Sequence, residues 1–457
     1  SMFNLDPQAS YRSRNWLKSP WNIISATADL ALSDATSIKI ISSLQFSNRS
    51  LVWKNQEGGA GALDEPDPVT GEYEDREVEI EDMNNSTTEF RLLHNYKVKS
   101  RASTLAAGMR FSYSWFTRQE GEGNKGTDFN LEYTELEQDS KFITLNAAPF
   151  IENIFRVTDR FSVTPGVRFE YLFNEVEVEI EENGQETETE DERDRFFPLF
   201  GVGFEYRLGG NKNFYANISQ AYRPIDYSQL TPVGVTSVVD PNMKDAKGFN
   251  ADLGYRGTVS NFLNFDLGLF YLAYNDRIGT ILVNEGTADE YTLRTNVANS
   301  VHKGFESYIE LNLLRLIDPS AKKGLSIFNS FGYTDARYTS GDVKGNRVET
   351  AVKYINRLGL TYYDGHLSSS FQVSNVGDAY GDATNVMLSE DPVAGYIPAY
   401  NVLDFSLTYK FSRFALKGGV NNIADKMYFT RRTDEYPGPG IIPAIGRTFY
   451  AGFDFKL

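Results

Sequence analysis

From Asn401 to Leu457 the side chains sort by odd and even position, and this alternation constrains the fold more tightly than anything else in the chain. Leu403, Phe405, Leu407, Tyr409 and Phe411 fall on one face, while Asp404, Ser406, Thr408 and Lys410 fall on the other. A period of two over this length predicts a strand with one apolar and one wet side. Ser412-Arg413 then makes a very short turn into Phe414–Asn421, where Phe414, Leu416, Gly418 and Val420 share a side. A Pro/Gly-rich loop follows, and Arg447–Leu457 closes the chain with Phe449, Ala451, Phe453, Phe455 and Leu457 alternating with polar or small residues. Strand, tight turn, strand, long loop and terminal strand is how an outer-membrane β-barrel ends.

Length alone, 457 residues, suggests about three soluble domains. Composition argues for strands and turns instead: 27 Tyr and 32 Phe bring the aromatic fraction to 14%, alongside 37 Gly. No apolar run approaches the ~18–20 residues of a membrane helix, and barrel strands conceal their lipid face from hydropathy by alternating. The absence of Cys fits passage through an oxidising periplasm.

Alternation and Gly/Asn/Asp/Ser clusters predict about seventeen strands. Their connections alternate in length. Short ones fall at Ser33-Asp34-Ala35-Thr36, Lys99-Ser100-Arg101, Thr158-Asp159-Arg160, Gly209-Gly210-Asn211, Val259-Ser260-Asn261, Asp318–Lys323, Asp364-Gly365 and Ser412-Arg413. Between them lie long ones, near 55–85, 119–137, 175–195, 223–246, 277–291, 339–349, 377–398 and 427–446. Turns at one end and large loops at the other match the periplasmic and extracellular ends of a bacterial barrel. The fold class expected is therefore all-β: a transmembrane antiparallel β-barrel, the competing reading being a soluble sandwich with long hairpins.

The strand from Phe161 displays the two faces best. Phe161, Val163, Pro165, Val167, Phe169, Tyr171 and Phe173 point one way, and Ser162, Thr164, Gly166, Arg168, Glu170 and Asn174 the other. Arg and Glu on the inner side require water or a plug there rather than lipid. Val176, Val178 and Ile180 continue the alternation with Glu175, Glu177, Glu179 and Glu181, so the strand outruns the ~9–11 residues that span a bilayer. Two segments are strongly acidic. Residues 57–82 hold eleven carboxylates against Arg76 alone, and 175–195 hold eleven against Arg193 and Arg195, in a chain of net charge −17. Solvated surface loops are the plainer reading. Divalent-cation binding is the sharper one, although no spacing resembles an EF-hand loop.

Nothing in the chain resembles an active site. His94, His302 and His366 lack metal-ligand spacing, and there is no nucleophile elbow, P-loop or dinucleotide fingerprint. The expectation is a protein that is not an enzyme, with no cofactor, no bound metal and no nucleic-acid partner. Arginines near the loop end attract more interest: Arg12 and Arg14 with Asn15 and Trp16 before the first strand, Arg223 followed by Tyr227, and Arg431 with Arg432 in the final loop. A guanidinium grips carboxylate or phosphate through a planar fork. Converging with Tyr, Trp and Asn, these residues would form a pocket for a multiply charged anion; the alternative is that each pairs with a loop carboxylate.

Five stretches carry a resemblance: Arg12-Ser13-Arg14-Asn15-Trp16 through Pro20-Trp21-Asn22; Ala221-Tyr222-Arg223-Pro224; Lys247 through Gly257; Asn296 through Gly304-Phe305-Glu306; and Asn421-Asn422-Ile423-Ala424-Asp425 through Arg431-Arg432 with Tyr436-Pro437-Gly438-Pro439-Gly440. Together they resemble the barrel of TonB-dependent outer-membrane receptors, within which the iron(III) dicitrate type of Bacteroidota is the nearest in pattern. The resemblance implies a twenty-two-stranded barrel filled by an N-terminal plug, in the outer membrane of a Gram-negative bacterium. It implies capture of a ferric chelate, with iron present only as part of that cargo, and import driven by the TonB-ExbB-ExbD complex acting through the plug. The sequence departs from that pattern in carrying neither plug, TonB-binding box nor the first strands. Residues 1–20 would then be an extracellular loop segment, and 21–457 the C-terminal portion of the barrel, starting at its sixth strand. Edges at Trp21–Leu32 and Arg447–Leu457 should be left unpaired, each open backbone group costing several kcal/mol in lipid. The expectation is that residues of a longer parent pair with both. Receptors of this architecture for a peptide, glycan or cobalamin, or a passive pore, are the alternatives.

Overall fold

The computed structural model describes Asp6 and residues 12–54, 64–182, 185–225, 237–283, 291–388, 394–433 and 440–456. Its main sheet has nineteen strands. Two of these, Trp16–Lys18 and Ser237–Val239, are three residues long; the remaining seventeen form the wall. In chain order they are β1 (Trp21–Ser33), β2 (Thr36–Trp53), β3 (Glu77–Val98), β4 (Arg101–Glu122), β5 (Glu135–Arg156), β6 (Phe161–Glu182), β7 (Gln185–Gly209), β8 (Lys212–Arg223) and β9 (Ala246–Val259). β10 (Leu263–Val283), β11 (Tyr291–Asn312), β12 (Gly324–Tyr338), β13 (Tyr354–Tyr363), β14 (Leu367–Val376), β15 (Tyr400–Phe411), β16 (Phe414–Asn421) and β17 (Thr448–Phe455) follow. Each pairs antiparallel with its chain neighbours, so the all-β, antiparallel expectation and the strand count agree with the structure.

Tight connections lie where the Gly/Asn/Asp/Ser clusters put them. In the two-residue loops Lys99-Ser100 and Ser412-Arg413 the first residue is left-handed, with φ of 55° and 52°, the backbone twist that lets a short loop follow twisted strands. The 312–324 connection differs: it carries a helix, α1 (Leu313–Ile317), which the strand pattern did not foresee.

Register separates the two faces. Phe161, Val163, Val167, Phe169 and Tyr171 on β6 stand opposite Tyr206, Phe204, Phe200, Pro198 and Phe196 on β7, and Phe196 and Phe200 remain 70% and 56% exposed. An apolar surface this broad needs hydrocarbon beside it. On the opposite face Arg168 pairs with Glu170, and Asn146 Nδ2 donates to Glu170 Oε2 at 2.7 Å. The inner face has its own packing rule. Tyr215, Phe270 and Phe328 each lie flat across the glycine directly opposite on the next strand, Gly254, Gly304 and Gly359, so closely that an added Cβ would collide with the ring. The missing side chain lets the sheet curve while the aromatic covers the bare backbone.

The alternation read through Glu181 holds, and residues 175–182 and 185–195 are the paired upper ends of β6 and β7 rather than the solvated loop that the acidic composition suggested. Glu175, Glu177, Glu179 and Glu181 face Glu192, Glu190, Glu188 and Glu186, an arrangement that repels. What holds it is the other face, where Val176 and Val178 bury with Phe116 and Phe142 against Met83 and Ile180. β1 and β17 each have a single sheet neighbour among the described residues, β2 and β16, and β1 is exposed throughout. The two outer strands are thus open edges, as expected.

Phe200→Arg should raise the cost of folding into vesicles by ~2–4 kcal/mol, as for a cation on a barrel's lipid face; Thr164→Arg, which points inward, should cost far less by urea titration. Gly254→Val should destabilise by about 1–3 kcal/mol through overpacking. Combined with Tyr215→Ala it should cost clearly less than the sum of the two.

Candidate ligand vestibule

β3, β4, β6 and β7 are 22 to 25 residues long, more than twice a membrane span, so their upper halves enclose a vestibule. At its inner face Arg49 Nη1 lies 2.8 Å from Glu81, and Arg118 Nη2 lies 2.7 Å from Glu120 and 3.3 Å from Glu79. Trp53 Nε1 donates to Glu79 at 3.0 Å. Glu79 and Glu81 are buried, which corrects the picture of 57–82 as solvated throughout. Oxygens of Glu77, Glu79 and Glu120 come within 4.8 Å of one another, with Arg118 supplying positive charge beside them. Burial, then the carboxylates of Asp139, Glu120 and Glu79, pushes the Tyr133 phenol up to about 12.

Arg14 and Arg76 fasten the loops above this wall. Arg14 is 1% exposed, and all five of its N–H donors are used: Nε and Nη2 on Asp64, Nη1 on the carbonyls of Lys125 and Gly126, and Nη2 also on that of Glu74. Tyr73 stacks beneath it at 4.2 Å. Arg76 donates to the carbonyls of Arg14, Asn124 and Asp128; burial, then repulsion from Arg14, holds its pKa below the ordinary value. Arg12 is half-buried, its guanidinium lowered by burial against the opposing pull of Asp64, and its Nη1 has no hydrogen-bond partner among the described residues. Asn15 Oδ1 accepts from the Lys54 amide at 2.9 Å, and the half-exposed Trp16 donates Nε1 to the Thr127 carbonyl at 3.0 Å.

The other candidates stand at two separate strand–loop junctions. Arg223, with an exposed side chain, ends β8 opposite Ala246. Beside it the Tyr222 hydroxyl donates to Asp245, which also pairs with Arg195 at 2.8 Å and accepts from the Ile225 amide at 2.9 Å. Asp245, Arg195 and Ile225 border a cavity of about 520 Å³ together with Arg193, Met243 and Lys244. Tyr227 lies outside the described residues. Arg431 and Arg432 lie on a hairpin formed by Phe429–Thr433 and Gly440–Pro443. Arg431 is exposed; Arg432 covers the Phe429 ring at 5.6 Å and donates Nη2 to the Tyr396 carbonyl at 3.4 Å. Arg347, paired with Asp378 at 2.6 Å, ties down the neighbouring loop. Sequence reasoning singled out neither Arg76, Arg118 nor Arg347; Arg76 alone carried a signal, as the one base in an acidic run.

An antiparallel wall, apolar outside and polar inside, with turns at one end and loops at the other, defines the bacterial outer-membrane barrel class. Within it, residues 3–423 match the family described as TonB dependent receptor-like, beta-barrel, and the chain belongs to that family of receptors and transporters. In fold it is similar to the unliganded ferric citrate transporter FecA, with a TM-score of 0.80 and 19% identity over 99% of this chain and 64% of that one. It is also similar to the ferric yersiniabactin uptake receptor FyuA from Yersinia pestis (TM-score 0.74, 16% identity, 96% and 62%). A third likeness is to the closed form of the ferric-catecholate import receptor Fiu from E. coli K12 (0.73, 14%, 97% and 65%). The chain spans less than two thirds of each of these proteins.

Arg14→Ala leaves Asp64 buried without its partner, a loss of about 3–5 kcal/mol. Loop 64–75 should become the first site of limited proteolysis, while the sheet keeps its slow unfolding in a heat-modifiability gel.

Proposed function

We propose that residues 21–457 form the C-terminal part of the barrel of an outer-membrane receptor that captures a ferric chelate, and that residues 1–20 belong to an extracellular loop. On this reading the missing strands of a longer parent pair with β1 and β17, a plug preceding them fills the lumen, and the TonB-ExbB-ExbD complex drives import. Family membership and the two open edges support the architecture. The observation that carries the ligand assignment is the exposure of Arg223 and Arg431 at the loop end, Arg223 next to Tyr222 and Arg431 on the hairpin that also carries Phe429 and Arg432. A guanidinium fork suits the carboxylates of a citrate-like chelate. Arg14, whose donors are all taken, holds the loops that shape the site, and Arg12, Asn15 and Trp16 flank it.

A second reading has an observation of its own. The vestibule wall at Glu77, Glu79, Glu81 and Glu120 carries more carboxylates than the two arginines Arg49 and Arg118 balance, and such a field slows an approaching anion. Screening at ~8 Å in physiological salt lets the distant arginines act locally, but a neutral or cationic cargo would meet no such opposition.

The test is titration of the full-length receptor with iron-loaded citrate. Arg223→Ala, and Arg431→Ala combined with Arg432→Ala, should each weaken binding about tenfold or more, the usual loss of a hydrogen bond to a charged group. Unchanged affinity in both would remove these residues from the site. Binding of a cationic hydroxamate chelate in preference to the citrate one would favour the second reading. A large steady conductance in planar bilayers would favour a passive pore.

A further inference from the structure

Seven of the eight tight connections are short loops; the one between β11 and β12 is built up into a foot. Asn312 caps α1 by accepting from the Arg315 amide at 3.0 Å, and the Asp318 amide closes it onto the Leu314 carbonyl at 2.8 Å. Asp318 in turn accepts from the Ser320 amide at 2.9 Å, and Asn261 of the adjacent turn donates to the Pro319 carbonyl at 2.7 Å. The segment is therefore fixed in place. Yet it holds Leu316 and Ile317 out at 49% and 83% exposure, with exposed Lys322 and Lys323 a few residues further on, after Asp318 and Pro319.

Two features of the surroundings say what covers these side chains. Ile309 on β11 and Ile327 on β12 lie on the lipid-facing side, so the apolar band runs down the same two strands to the foot. The turn end is also basic in a chain that is acidic overall: Lys99, Arg101, Arg160 and Arg413 are exposed on other turns. Apolar side chains continuous with a lipid-facing band, rimmed by lysine, suit the boundary between acyl chains and anionic headgroups.

We propose that Leu313–Lys323 is a phospholipid-binding foot on the turn-side leaflet. Leu316 and Ile317 sit among the upper acyl carbons, and Lys322 and Lys323 hold the phosphate of an anionic phospholipid. The proposal rests on the membrane-barrel reading, and its test separates the two. This chain has no cysteine, so Ile317→Cys and, separately, Phe200→Cys can each carry a polarity-sensitive fluorophore in the full-length protein once any cysteine outside residues 1–457 is replaced by serine. Each labelled protein is reconstituted in phosphatidylcholine vesicles with and without phosphatidylglycerol, and quenched either by lipid bearing a nitroxide near the headgroup or by aqueous iodide. The Ile317 label should be quenched by the lipid and shielded from iodide, more strongly when the nitroxide is on phosphatidylglycerol. That preference should fall roughly thirtyfold in Lys322→Gln combined with Lys323→Gln, as expected for losing two surface lysines. A Phe200 label in lipid with an Ile317 label open to iodide overturns the foot alone, as does quenching blind to headgroup charge. Both labels open to iodide overturns the barrel reading itself.

Discussion

Hydrocarbon offers no partner to a peptide N–H or C=O, and the whole wall follows from that restriction. Sixteen successive antiparallel ladders satisfy the backbone of β2 to β16 on both sides. The same restriction makes β1 and β17 the two places where the arrangement is incomplete. A row of open donors and acceptors is tolerable in water and expensive in lipid.

Once the ladder is in place, the side chains have only two directions to take, and each face solves a different problem. Outward, Phe196, Phe200 and their neighbours present a hydrocarbon surface. Inward, curvature brings strands close, and the pairing of Tyr215, Phe270 and Phe328 with opposing glycines fills the space without straining the backbone. Above the membrane the roles invert: β6 and β7 turn glutamates outward and Val176 and Val178 inward. Water now lies outside, and the inner surface becomes the only dry place available. The like-charge glutamate pairs persist because that inner packing outweighs a repulsion that water screens.

At the loop end, long-range pairing decides how deeply each cation is held. Arg14 and Arg76 resemble Arg223 and Arg431 in type and are all near the vestibule. The first two are buried in holding residues 64–75 and 123–128 together, whereas Arg223 and Arg431 are exposed residues. Arginines that look interchangeable in a linear reading are thus divided between buried braces and exposed side chains.

Strand number, order, facing and the positions of the tight turns were legible because they depend on a local period of two and on turn residues a few positions apart. Local signals fall short where a distant partner decides the outcome. Alternation carries the strand to Glu181, but the acidic composition reads as solvated until Phe116 and Phe142, tens of residues earlier in the chain, arrive to bury Val176 and Val178. α1 is too short for periodicity to reveal, and it exists because Asn312 and Asp318 cap it at either end. Sequence by itself determined a greasy-outside, polar-inside antiparallel wall, since alternation needs no knowledge of neighbours. Only the tertiary structure decided which charges are spent on one another, because a guanidinium cannot be known to be occupied until the folded chain brings its carboxylate and carbonyls to it.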